Sequence, residues 1–346
     1  MPVEPQPKII RLAGALPSGS FAFVMATGIV SIIALLLGFG RIARILFAIN
    51  LIVYAVLLVL TLLRLGWCLS AVVADFSNSR RALGFLTVVA GTNVLGEQIS
   101  LMTAQQGVAA ALWLCGSALW LGLVYCFFAA TTARREKPPL VRGLDGSWLL
   151  VTVATQSAAI LGVQTAATFS SPVSILFCSL ALWLLGSVLY LVFITLIIYR
   201  WLFRPMAPAD LNPSYWINMG AAAITTLAGA RLAASVLLYP MLSGLHGYIV
   251  AETMLFWSTA TWWIPLLVVV MIWRHWQGGL FLSKPFEYWS MVFPLGMYAA
   301  ATFSFTPLVA AEFLDFLPHL FFWLALVAWC GTVLATIGQL VGQTGR

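Results

Sequence analysis

The sequence predicts an all-α integral membrane protein: ten transmembrane helices as five helical hairpins, the odd helices forming an inner ring around a polar path and the even helices an outer ring. Three observations predict it. The 346 residues are 62% hydrophobic and 8% charged, with a mean hydropathy of +1.02, far outside the range of soluble globular chains. They divide into ten apolar stretches, each close to the roughly 20 residues that a bilayer-spanning helix needs. The stretches also alternate in character. Well inside the odd ones lie Asn93, Glu97, Gln98, Gln156, Gln164, Asn218 and Arg231, whereas the even ones hold only Asn50. Polar groups in hydrocarbon are costly unless they face other helices or a water-filled cavity, so the polar helices belong inside. That is the layout of a conduit.

In order, the spans run over 20–38, 42–63, 82–104, 108–130, 147–168, 173–201, 214–235, 251–273, 286–311 and 317–341. Span one follows a short polar arm, Met1–Arg11, without a convincing cleavage site, and reads as a true span that starts insertion. Spans two, four, six and ten are nearly pure Leu, Val, Phe and Trp. Span eight is similar but holds Pro265. Spans three and five carry most of the amides. Span seven opens Asn212-Pro213-Ser214-Tyr215-Trp216, and span nine opens Ser283-Lys284-Pro285-Phe286-Glu287-Tyr288-Trp289. A polar residue before a first-turn proline is good helix-start chemistry, because proline lacks only an N–H that has no helical partner anyway. The joins are short, the longest near 64–81, 131–146 and 202–213. None can hold a soluble domain, so residues 1–346 form one membrane domain.

Loop charge sets the direction. With a cytoplasmic N-terminus, fourteen of the 17 Lys and Arg fall inside, Arg142, Lys284 and Arg346 among them, while Arg41 and Arg44 fall outside and Arg231 lies within a span. Both ends are then cytoplasmic, in a bacterial-type plasma membrane, and all five odd helices run from inside to outside. The net charge of +7 is topological signal plus attraction to anionic lipid, with no argument for nucleic acid in it. The five cysteines show no pairing pattern and read as small apolar residues.

Glu97 and Arg231 are the charges well inside spans, at similar depth in the outer half. They form either a structural ion pair, with Arg231 free to snorkel outward, or a site where Arg231 attracts anions and Glu97 tunes it. Thr27, Thr152, Thr155, Gln156, Asn218 and Thr225 are candidates to line a weakly polar path. Membrane hydroxyls also bond their own backbone, which is the competing reading. Gly28, Gly220 and Gly296 let inner helices bend or pack closely, and Pro294 kinks span nine. His246, His275 and His319 lie near the interfaces without metal-ligand spacing, and no phosphate-binding or hydrolase motif is present. No cofactor, metal or enzymatic activity is expected.

Three segments carry a family resemblance: Phe21-Ala22-Phe23-Val24-Met25-Ala26-Thr27-Gly28, Pro213-Ser214-Tyr215-Trp216-Ile217-Asn218-Met219-Gly220 and Tyr288-Trp289-Ser290-Met291-Val292-Phe293-Pro294-Leu295-Gly296. They resemble the tellurite-resistance/dicarboxylate transporter family, which contains bacterial anion channels, fungal malate and sulfite transporters and the slow anion channels of plant guard cells. The resemblance implies a homotrimer for small anions, each subunit holding its own pore among the five odd helices. It also implies a plugging phenylalanine in span nine, a position that Phe293 matches. Aligning Trp216 with Trp289 sets Gly220 at the level of Phe293, leaving room for its ring. Aligned on Trp148 and Phe23, spans five and one offer Thr152 and Thr27 at that level. Without long cytoplasmic tails, control by phosphorylation of the plant type is not expected, and the residues carry no tellurite chemistry of their own.

The leading expectation is therefore a gated anion channel. The alternative is a proton-coupled carrier of C4-dicarboxylates or sulfite. A membrane enzyme or sensor, resting on Glu312, Asp315 and His319, is the remote third.

Overall fold

The computed structural model describes residues 7–137, 139, 143–278 and 285–344. Arg142, Ser283, Lys284 and Arg346, which entered the charge and motif arguments, lie outside the described residues. Ten helices carry the fold: α1 (Ala22–Leu36), α2 (Gly40–Trp67), α3 (Leu86–Thr103), α4 (Gln106–Ala133), α5 (Leu150–Thr165), α6 (Pro172–Phe203), α7 (Ile217–Val236), α8 (His246–Gly278), α9 (Trp289–Phe305) and α10 (Phe316–Thr344).

Among the described residues, nine helices are long and apolar enough to cross a membrane. The tenth, α1, has 15 residues and reaches about 22 Å at ~1.5 Å per residue. The apolar stretch 20–38 extends beyond it at both ends. A short helix is tolerated here because protein, rather than lipid, surrounds α1, whose residues from Val24 to Ala34 are all buried. Its far end closes with a hydrogen-bonded αL turn: Gly38 stands at φ +84°, Phe39 N donates to the Ala34 carbonyl at 2.8 Å, and Gly38 N donates to that of Leu35 at 3.0 Å. The equivalent turn after α3 places Ala104 at φ 56°. An alanine pays steric strain there that a glycine does not, so Ala104→Gly is expected to stabilise the protein by about 1 kcal/mol, read as a higher Tm in detergent.

The odd helices form a closed ring. Helix α1 packs on α3, α3 on α5, α5 on α7, α7 on α9, and α9 returns to α1. Burial follows the alternation of polarity. Within the apolar windows of the spans containing α3, α5, α7 and α9, 78%, 78%, 83% and 72% of residues are buried, against 17% to 39% for the even helices.

An aromatic girdle ties the two layers. Each even helix bonds to the odd helix of the following hairpin. Tyr54 of α2 meets Thr92 of α3 at 3.0 Å, and Trp120 of α4 donates to Thr155 of α5 at 2.8 Å. Trp183 of α6 donates to the Thr225 carbonyl at 3.0 Å, Trp257 of α8 to Thr302 at 3.0 Å, and Trp329 of α10 to Thr27 of α1 at 2.9 Å. Lipid offers an indole N–H no acceptor, so these groups turn inward. Each such bond is worth only about 0.6 kcal/mol in membrane proteins. Five of them nonetheless clasp hairpin to hairpin, and the last closes the circle.

Arginines mark one end of the bundle. Arg64, Arg200 and Arg274 sit near the C-termini of even helices, where a cation complements the helix dipole. Arg64 pairs with Asp75 at 2.7 Å in the α2–α3 join. Arg200 donates to the Leu144 carbonyl and, at 2.7 Å, to Tyr215, and Arg274 to Tyr288 at 3.4 Å. Each thereby fixes the approach to an odd helix. This is called the basic end below.

Candidate functional site

All five odd helices begin at the basic end, and the residues at their starts surround a cavity of about 310 Å³. Ala22 and Met25 come from α1, Thr87 from α3, Leu150 from α5, Ile217 from α7, and Trp289, Ser290 and Phe293 from α9. Helices α5, α7 and α9 enter through single 3-10 turns, Gly146–Leu149, Pro213–Trp216 and Pro285–Tyr288. Two of these turns share one capping device. Asp145 accepts from the backbone N–H and hydroxyl of Ser147, and Asn212 accepts from those of Ser214 at 3.1 and 2.5 Å. The caps are joined, since Asn212 Nδ2 donates to Asp145 Oδ2 at 3.3 Å. The Asn212-Pro213 start was legible in the sequence. Its counterpart was missed, although Asp145-Gly146-Ser147 repeats the Asn-x-Ser spacing before an apolar run.

Parallel inner helices give the cavity its electrostatics. The N-terminus of a helix carries a partial positive charge of about half a unit, from N–H groups that have no partner in the helix. Five such ends converge here, beside Arg81, whose side chain is 68% exposed and pairs with Asp75 at 3.2 Å. Two carboxylates, Asp145 and Glu287, line the same cavity and share it with these helix ends and Arg81.

Phe293 lines this cavity and is itself buried. The next residue, Pro294, has no N–H to give Ser290, so the ladder of α9 is broken at this level and the helix can bend. Gly220 serves that proline. A Cβ on Gly220 would stand 2.7 Å from Pro294 Cγ and 3.0 Å from its Cβ. This corrects the expectation that Gly220 leaves space for the Phe293 ring: the recess holds Pro294.

The polar candidates lie elsewhere. None of Thr27, Gly28, Thr152, Thr155, Gln156, Asn218 and Gly296 lines the cavity. Thr27 stands about 200° around α1 from Met25 and accepts from Trp329. Thr152, Thr155 and Gln156 turn away from Leu150. Thr155 accepts from Trp120, and Gln156 Nε2 donates to the Trp183 carbonyl at 3.0 Å. Asn218 shares its face of α7 with Gly229, which abuts Thr253 of α8 and Trp183 of α6. Gly28 makes room for the 2.6 Å bond between Asn50 and Gln98, and Gly296 packs against Ile29 and Val30. Two pairs of the candidate residues do meet. Arg231 Nη2 lies 3.5 Å from Glu97 Oε1, with side chains 26% and 4% exposed, and Pro294 adjoins Gly220. Among the described residues no group of three or more His, Cys, Asp or Glu is placed to hold a metal.

The profile of the voltage-dependent anion channel family matches residues 15–337. A membrane protein of Mycobacterium tuberculosis, titled uncharacterized, is 35% identical over 158 residues, which cover 46% of this chain and 80% of that one. A protein of Methanocaldococcus jannaschii, titled an uncharacterized transporter, is 23% identical over 335 residues, covering 93% of this chain and 94% of that one.

Proposed function

The chain belongs to the voltage-dependent anion channel family of multi-pass membrane proteins, and from that premise we propose that it passes small anions down their gradient along the axis of the five-helix ring, with Phe293 as the gate. One observation carries the reading: five parallel helix N-termini meet at a cavity that Phe293 lines. Anions collect where the dipoles converge, and a bulky apolar ring then bars the way. Beyond it, helical periodicity turns Ala154, Ile224, Ala228 and Ala300 to the inside, a lining too weakly polar to hold an ion for long. Pro294 and Gly220 are the hinge contact behind the gate. The basic end is cytoplasmic by the positive-inside rule, in a plasma membrane of bacterial type. One chain supplies a whole path, and a homotrimer sets three of them side by side.

The test is flux of chloride, nitrate, sulfite and malate from liposomes holding the purified protein, with and without a proton gradient. Voltage-driven flux that ignores the proton gradient is expected. Saturable flux that requires the gradient would instead make the protein a carrier, with Glu97 as the buried carboxylate to suspect.

A further inference from the structure

The Glu97–Arg231 pair joins two helices that are not neighbours. Helix α5 stands between α3 and α7 and packs on both. The pair does not pass over the end of α5, because one turn beyond Glu97 the residue Ser100 still accepts a hydrogen bond from Gln164 of α5 at 3.0 Å. Side-chain direction says the same. Gly96 faces Leu161 of α5, and Gln98 faces Asn50 of α2. Glu97 lies between those directions, about 100° from each. On α7, Gly229 faces outward on α6 and α8, and Arg231 stands about 200° around from it, on the inner side. The ion pair thus crosses the interior of the ring, at the end away from Phe293.

The arginine is poorly satisfied there. Its contact to Glu97 is long at 3.5 Å, and its buried Nε has no hydrogen-bond partner. A guanidinium offers five N–H donors in a rigid fork that matches two oxygens of one anion. We propose that Arg231 is an anion-coordinating site near the far end of the path and that Glu97 is its tethered competitor, so that a permeating anion must displace the carboxylate. The ligands this favours are small planar oxyanions, such as nitrate and short carboxylates, which can use the fork as Glu97 does. The pair then closes the ring a second time, in series with Phe293. This rests on the reading of the ring axis as an anion path.

The experiment uses the full chain carrying Phe293→Ala, so that the inner closure is absent, and measures liposome flux and reversal potential with nitrate, acetate and chloride. Adding Glu97→Gln is expected to raise anion flux several-fold, since the competitor is gone. Adding Arg231→Gln is expected to lower it at least about tenfold, the low end of what a fixed charge contributes by focusing ions, and to move the reversal potential toward cations. Arg231→Lys keeps the charge without the fork and is expected to lose the preference for nitrate over chloride. It also serves if Arg231→Gln fails to assemble. If Phe293→Ala alone conducts anions while the Glu97 and Arg231 variants alter neither flux nor selectivity, the second closure is refuted and the path stands. If Phe293→Ala passes no anion, path and closure fall together.

Discussion

Replacing Phe293 by alanine is expected to raise the anion flux of the reconstituted protein about ten- to hundredfold. The magnitude follows from what opening must cost. If the ring has to leave its buried position before an anion passes, the step gives up the burial of a phenylalanine side chain, about 1.5–3 kcal/mol, and each 1.4 kcal/mol is about tenfold. Alanine removes that step and leaves the converging helix ends unchanged. The rise must be confined to anions, because the field at the mouth remains. Liposome flux against wild type checks it, and a variant no leakier than wild type removes Phe293 from the gate.

Asp75→Ala is expected to destabilise the protein strongly. Asp75 is buried and holds Arg64 at 2.7 Å, and Arg64 is itself 5% exposed with a buried Nε that has no partner. Deleting the carboxylate strands a buried guanidinium, a loss of about 3–5 kcal/mol. Replacing both partners with apolar residues, Arg64→Met with Asp75→Leu, should recover most of it, since a buried ion pair contributes little beyond its own desolvation. Thermal unfolding in detergent reads both. The consequence reaches the site, because Asp75 also takes Arg81 at 3.2 Å and so sets one wall of the cavity.

The ring of odd helices was legible because each polar group inside a span demanded a protein neighbour, and the parallel sense of those helices followed from the loop arginines. What was not legible is which way each inner side chain turns. Inner helices of this protein are buried on every face, so their hydrophobic pattern carries no inside-versus-outside signal. Thr27 and Thr155 have the chemistry of path-lining residues, yet they accept the indole N–H groups of Trp329 and Trp120. Those donors sit on helices facing lipid, and the inner helix was the acceptor within reach. The visible clue was tryptophan within the even spans, away from the interfaces where it usually anchors. A similar slip affected Gly220. Pro294, not Phe293, fills the space beside it. Glu97 and Arg231 were matched in depth correctly from the helical rise. That their pair spans the ring required the helix order.

The central claim is that anions travel along the ring axis past Phe293, and thiol modification tests it most directly. Ile224 and Thr226 both lie on α7 and are fully buried. Ile224 shares the side of Gly220 and Arg231, and Thr226 faces the outer layer, where its hydroxyl bonds the Ala222 carbonyl at 3.0 Å. In a Phe293→Ala chain with its five native cysteines replaced by alanine, a small charged thiol reagent is predicted to block anion current through Ile224→Cys and to leave Thr226→Cys unaffected. Equal block at both positions, or none at Ile224→Cys despite confirmed labelling, would contradict a path on the ring axis.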